Sequence, residues 1–410
     1  MPEFLRLLAP HEALERLFAN LSPNILPEDL ETASAVGRVT AEAVVAPHPL
    51  PSFSRSTVDG YAVRARDTYG ASEGLPAYFS VAGEVPMGEA PGFHLERGQC
   101  GLIYTGGMLP EMADAVVMLE YTQSVRAGEI EVLKAAAQLE NVLKVGEDVA
   151  AGQVVIPPGR RLRPADIGGL MALGITRVKV ARRPQAGILS SGDEVVSPEE
   201  EIKPGQVRDV NSYTLSALVE ESGGTTCRYG IIPDRADELL ATARRALAEC
   251  DLVIITAGSS ASARDLTADV INRLGPPGVL VHGVNVRPGK PTILGVCNHK
   301  AVIGLPGNPV SALVIAGLFV TPIIEALCGL SQERLHGLVT ARLTINLPSQ
   351  AGREDWIPVS LKRTPQGFEA EPIFGKSNLI FNLSRADGLV CIPPDATGIN
   401  AGETVEVVLS

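Results

Sequence analysis

The sequence predicts a multidomain α/β plus β chain: a unit with a mostly parallel sheet, an irregular β-rich unit ahead of it and a small β-barrel behind it. Three observations carry this. Strand-like and helix-like runs alternate from residue 185 to about 330, the mark of right-handed crossover units. Residues 47 to 142 are rich in Gly, Pro and short Val/Ile runs. After residue 337, short alternating segments are separated by Gly, Pro and Asn turns. A length of 410 residues with 45% hydrophobic and 20% charged side chains is enough for two to four cores.

Taken in order, "HEALERLFANL" reads as a short helix, and "LETASAVGRVTAEAVV" ends in a β-branched strand. "GRRLRPADIGGLMALGITRVKVARR" places Pro164 in a first helical turn and Gly174 at its end. In the α/β unit the strands are "AGILS", "CRYGII", "DLVIIT" and "AVIGL". Between them lie helices at "NSYTLSALVEES", "DRADELLATARRALAEC" and "DLTADVINRLG", with Asn211 and Asp234 at N-cap positions and Gly223 closing the first. The uncharged run Val310 to Ile324 is shorter than the roughly 20 residues of a membrane span and is expected as a buried helix. "LVTARLTINL", "DWIPVSL", "GFEAEPIF", "GLVCIPP" and "ETVEVVLS" give about five barrel strands.

With 35 basic and 47 acidic residues the formal charge is −12, which argues against a nucleic-acid partner, because such binding neutralises many phosphates. Any anionic ligand must then meet a local cationic pocket. Six scattered cysteines without CxxC spacing point to a reduced, cytoplasmic protein. The acidic N-terminus reads as no signal peptide, and no membrane association is expected.

Ligands of such sheets bind at the carboxyl ends of the strands, so three loops matter most: "SSGDE", "TAGSSASARD" and "LPGNP". In "TAGSSASARD" the hydroxyls of Ser259, Ser260 and Ser262 can donate to an oxyanion, and Asp265 opens the next helix; a helix-capping loop without ligand is as good a reading. Asp193 and Glu194 in "SSGDEVV" suit a water-rich Mg²⁺ site, although a solvated acidic turn is the commoner meaning of such a pair. Arg287 and Lys290 flank a Pro-Gly turn, as either an anion clamp or ordinary surface charges. In "IGLPGNPVSA", Pro306, Gly307, Asn308 and Pro309 form a rigid loop, and Ser311 stands in the first turn of the following helix. Asp59 in "STVDGYAV", Thr105 in a Gly-rich loop, Arg353 in "AGREDW" and Lys376 and Ser377 in "FGKSNLI" each also fit plain turns.

In this order "LPSFSRSTVDGYAV", "IYTGGMLPEMADAVVMLE", "SSGDE", "TAGSSASARD", "RPGKPTILG", "GLPGNPVSA" and the terminal "GR", "GKS", "ADGLVCIPP" and "GETVEVVL" resemble the molybdopterin molybdenumtransferases, the family that includes the gephyrin E domain. The resemblance implies a Mg²⁺-dependent enzyme that takes adenylylated molybdopterin, inserts molybdate and releases AMP. It implies an elongated α/β domain from 1–46 and 143–181 and an inserted β-rich domain at 47–142. A three-layer molybdopterin-binding domain at 182–330 and a barrel at 337–410 complete the chain. It also implies a homodimer whose active cleft is shared, with Asp59 and Thr105 completing the partner's site.

Position by position, the resemblance makes Glu194 and Asp265 metal and nucleotide residues and Asp234 a further acidic one. Arg287, Lys290, Ser311, Arg353 and Ser377 fall on the oxyanion pocket. Ala257, Ser259 and Ala261 stand where the family has a glycine-richer loop, which narrows backbone freedom there. The resemblance leaves as alternatives a tungstate-inserting paralogue and a non-catalytic scaffold that grips a peptide.

Overall fold

The computed structural model of the chain describes residues 7–257, 261–331 and 337–409, and for 261–264 the course of the backbone alone. At its centre is a six-stranded sheet in the order Thr225–Ile232, Gln185–Ser191, Leu252–Ala257, Lys300–Pro306, Ile293–Cys297, Pro277–His282. The first four strands pair in parallel and the last two pairings are antiparallel, so that Ile293–Cys297 alone runs against the rest of the sheet.

The central strand Leu252–Ala257 is apolar but for Thr256 and buried throughout, as a strand covered on both faces must be. Its period of two divides the core. Leu252 and Ile254 join one apolar cluster with Phe319 and Leu215, from the helices Pro309–Leu327 and Asn211–Ser222. Val253 and Ile255 join another with Leu239 and Val270, from Ala236–Glu249 and Ala261–Leu274. The result is three layers. The early helix Pro10–Phe18 buries Ala13 and Leu17, one turn apart, in the first of these clusters.

The helix Pro309–Leu327 is long and apolar enough to cross a membrane by length and composition, yet 67% of its apolar window is buried within the molecule. It serves as the core helix of this layer. Two strands of the central sheet escaped the sequence reading, Pro277–His282 and Ile293–Cys297, which pair as an antiparallel hairpin. Their consequence is positional: the connection between them, residues 283–292, turns at the same edge as the carboxyl ends of the parallel strands, since Ile293 faces Gly304.

Three local expectations are corrected. Asn211 is the first helical residue and not the N-cap; Asp209 serves the free donors instead, its Oδ1 accepting the Ser212 N–H at 3.1 Å, while Asn211 Nδ2 donates to Gly307 O at 2.8 Å. Asp234 lies two residues ahead of its helix, where Arg235 is the N-cap, and accepts a 2.5 Å bond from Ser191 Oγ. Asp265 does not open a helix, because Ala261–Leu274 already includes the second half of the serine-rich loop. Gly223 does close its helix, in the left-handed conformation at φ 107°.

Residues 27–45 pair with 154–181 across the inserted segment: Pro27–Glu31 with Arg177–Ala181, and Val44–Val45 with Val154–Ile156, both antiparallel. Their core holds Ile156, Leu162, Leu170 and Val180. Between them sits a second six-stranded sheet that includes Gly60–Val63, Gln99–Ile103 and Ala77–Glu84. The last part of the chain is a closed barrel of five strands. Glu354–Thr364 pairs with Gly367–Pro372 on one side and Gly388–Ile392 on the other, and Leu338–Leu343 and Thr404–Leu409 complete the circuit.

Candidate active site

The α/β unit and the barrel meet along the carboxyl edge of the central sheet. Val286–Arg287 adds itself as a parallel strand beside Glu354–Asp355, Glu354 N donates to Asn285 O at 3.2 Å, and Val310 N donates to Ser377 O at 3.0 Å. Between them runs a groove of ≈ 890 Å³. Among the described residues four cations line it, Arg287, Lys290, Arg353 and Lys376, and no carboxylate does. In a chain of net charge −12 this is a marked segregation, and it makes the groove a place where an anion gains from Coulomb attraction.

Each cation is fixed by its own element. The turn carrying Arg287 and Lys290 requires Gly289, whose φ is 107° and whose Cβ, if it had one, would lie 2.1 Å from Ile315 Cγ1. Thr292 closes that turn by donating both its N–H, at 3.1 Å, and its hydroxyl, at 2.6 Å, to Gly289 O. Lys290 Nζ and Lys376 Nζ have no hydrogen-bond or ion-pair partner among the described residues, so both stand ready for a ligand. Arg353 makes a two-pronged contact with Asp355, Nε to Oδ1 at 2.8 Å and Nη2 to Oδ2 at 3.2 Å. Ser311, 4% exposed, lines the groove from the first turn of Pro309–Leu327, where unpaired N–H groups favour negative charge.

The structure thus brings together seven residues singled out in the sequence: Arg287, Lys290, Asn308, Ser311, Arg353, Lys376 and Ser377. Pro306 ends its strand at the same edge, and Gly307 is engaged by Asn211, but neither lines the groove. Glu194 and Asp265 are both exposed and follow neighbouring strands, Gln185–Ser191 and Leu252–Ala257, on that edge. Asp234 is tied to the Gln185–Ser191 strand through Ser191. Ser259 and Ser260 lie outside the described residues, and of Ser262 the backbone alone is described.

Asp59 and Thr105 meet each other and stand apart from the groove lining. Asp59 Oδ1 accepts the Thr105 N–H and hydroxyl, both at 2.8 Å, because Gly60 pairs with Ile103 and the two loops leave adjacent strand ends. Gly60 is obligatory there, since a Cβ would fall 2.0 Å from Val117 O. The two bonds, the backbone one first, hold the Asp59 carboxyl below its ordinary range.

Sequence reasoning missed Asp355, Trp356 and Phe374. Trp356 and Phe374 line the groove, and Asp355 lies behind its wall, 0% exposed. The signal was present in "REDW", but alternation along a strand does not say which carboxylate faces inward until its register is known.

Residues 8–174 match the family described as MoeA N-terminal region (domain I and II), 187–326 the probable molybdopterin binding domain, and 340–410 the MoeA C-terminal region (domain IV). A molybdopterin molybdenumtransferase of Nostoc sp. is 33% identical over 403 residues, covering 95% of this chain and 92% of that protein. One from Haemophilus influenzae is 32% identical over 403 residues, with 98% of each covered. The solved structure of a molybdopterin biosynthesis MoeA protein from Pyrococcus horikosii superposes with a TM-score of 0.83 at 39% identity, covering 98% of this chain and 99% of that one. The fold, the cationic groove and these full-length likenesses together place the chain in the MoeA family of molybdopterin molybdenumtransferases.

Proposed function

We propose that the protein inserts molybdenum into molybdopterin in molybdenum cofactor biosynthesis, with molybdate and adenylylated molybdopterin as substrates and AMP as the leaving product. The observation that carries this reading is the groove between the α/β unit and the barrel, with four cations and no carboxylate among its described lining residues, in a net-acidic chain. Molybdate is a dianion and its co-substrate is already anionic, so bringing them together requires clustered positive donors in a partly dry cleft. Arg287, Lys290 and Arg353 supply them, with Lys376 beside them and the hydroxyls of Ser311 and Ser377 as further donors. No covalent nucleophile is needed; holding both substrates in reacting geometry and offsetting their repulsion is what these side chains do.

Mg²⁺ fits the residues present in one way. Among the described residues no group of three or more His, Cys, Asp or Glu side chains could hold a metal by itself. Two exposed carboxylates, Glu194 just past one strand and Asp265 in the helix that follows the neighbouring strand, suit an ion that keeps several waters and completes its shell with substrate phosphate oxygens. Glu194 and Asp265 would hold it, and when bound it would supply positive charge to those oxygens. Asp234, anchored by Ser191, supports the same edge.

Asp59 and Thr105, outside the groove of their own chain, act in this reading as a preformed acceptor-donor pair presented to a second subunit of a homodimer. The protein works in the cytoplasm. Purified protein given Mg²⁺, molybdate and adenylylated molybdopterin should release AMP; release no greater than from a Glu194→Ala control would refute the assignment.

A further inference from the structure

Behind the groove wall lies a carboxylate that works against anion binding if charge alone counts. Asp355 is 0% exposed and is not a lining residue, yet it touches two of the groove's cations. Arg353 gives it Nε at 2.8 Å and Nη2 at 3.2 Å, and Arg287 brings Nη1 to 3.6 Å. The register explains the meeting: Arg287 lies directly opposite Asp355 where the two parallel strand segments pair. Two guanidiniums this close repel each other, and a carboxylate between them sets their separation. Their other N–H groups, Nη1 of Arg353 and Nε and Nη2 of Arg287, have no partner among the described residues.

We propose that Asp355 is a positioning residue for the oxyanion pocket: it holds Arg287 and Arg353 side by side so that their outward N–H groups meet the incoming molybdate together. This rests on the insertase reading and adds to it a residue that touches neither substrate. The idea differs in sign from a purely electrostatic one. Replacing Asp355 by Asn removes one negative charge from behind the groove, so bulk attraction predicts equal or tighter anion binding. Loss of positioning predicts weaker binding.

The test compares the full chain with its Asp355→Asn variant, titrating sodium molybdate by calorimetry and measuring AMP release over a range of molybdate concentrations. Positioning predicts about tenfold weaker molybdate binding and a matching rise in the molybdate KM, with kcat at saturation within about threefold. Unchanged or tighter molybdate binding overturns the proposal. If Asp355→Asn does not accumulate as folded protein, Asp355→Glu decides, because it keeps the charge and displaces the carboxylate by one methylene. Molybdate binding about threefold weaker with unchanged Trp356 emission supports positioning, and wild-type affinity overturns it. A wild-type chain that releases no AMP sinks the insertase reading, while the calorimetric comparison still decides the role of Asp355.

Discussion

Arg353→Ala should be costly for stability as well as for ligand binding, and the size of the cost follows from the burial of its partner. Asp355 is 0% exposed and takes two of its three cationic contacts from Arg353. Removing that side chain leaves a buried carboxylate facing a single guanidinium 3.6 Å away. Breaking a buried pair from one side costs about 3–5 kcal/mol, and with Arg287 still present about 2–4 kcal/mol is expected.

The chain carries its own local reporter, since its single tryptophan, Trp356, is the next residue and donates from Nε1 to Glu354 Oε2 at 3.3 Å. In a urea titration followed by Trp356 emission, a slope of about 2 kcal/mol/M for a unit of barrel size gives a midpoint lower by about 1–2 M. Removing the orphaned charge as well, in Arg353→Ala/Asp355→Ala, should recover about half of the loss or more. A single variant within about 0.5 kcal/mol of the parent, or a double variant less stable than the single, would show that the pair is not a buried charge pair in solution.

Other outcomes follow from the same geometry. Lys290→Ala removes an unpartnered exposed side chain, so its unfolding midpoint should stay within about 0.5 kcal/mol of the parent while oxyanion affinity, read by calorimetry with molybdate, falls about tenfold. Gly289→Ala forces a Cβ to 2.1 Å from Ile315 Cγ1 at a φ of 107°, and should destabilise by about 2–4 kcal/mol, with partial rescue in an Ile315→Ala background. Asp59, its carboxyl held low by Thr105, contributes stability above the unfolded-state pKa that disappears as pH falls through the lower folded value; Thr105→Val should move its titration, followed by carboxyl carbon NMR, back toward the ordinary range. Burial pushes the Cys100 and Cys391 thiols up to about 12, so iodoacetamide at pH 8 should label neither in the folded protein and both in urea.

Much of this architecture was legible because its signals are local. Alternation of strand and helix from 185 to 330 reflects buried strands such as Leu252–Ala257, whose composition alone demands cover on both faces. The barrel strands announced themselves through their turns. What stayed hidden depends on register and on partners distant in sequence. The hairpin of Pro277–His282 and Ile293–Cys297 is short and follows a helix, so nothing in its composition says that it turns back at the sheet's carboxyl edge. That turn is what carries Arg287 to within 3.6 Å of Asp355, 68 positions later along the chain.

Helix starts misled for a similar reason. Asn211 and Asp234 have the side chains of caps, but Gly307 O and Ser191 Oγ, supplied by other segments, claimed them instead. The acidic loops were placed on one edge by topology, whereas the cations were expected together only through the family resemblance, because local sequence reads each as an ordinary turn until two domains meet across the groove.

The most direct test is a crystal of the full chain soaked in sodium molybdate, with anomalous difference maps collected at the molybdenum edge. A peak in the groove within hydrogen-bonding reach of Arg287, Lys290 and Arg353 is the predicted result. Molybdenum density anywhere else on the molecule, with that groove empty, would contradict it.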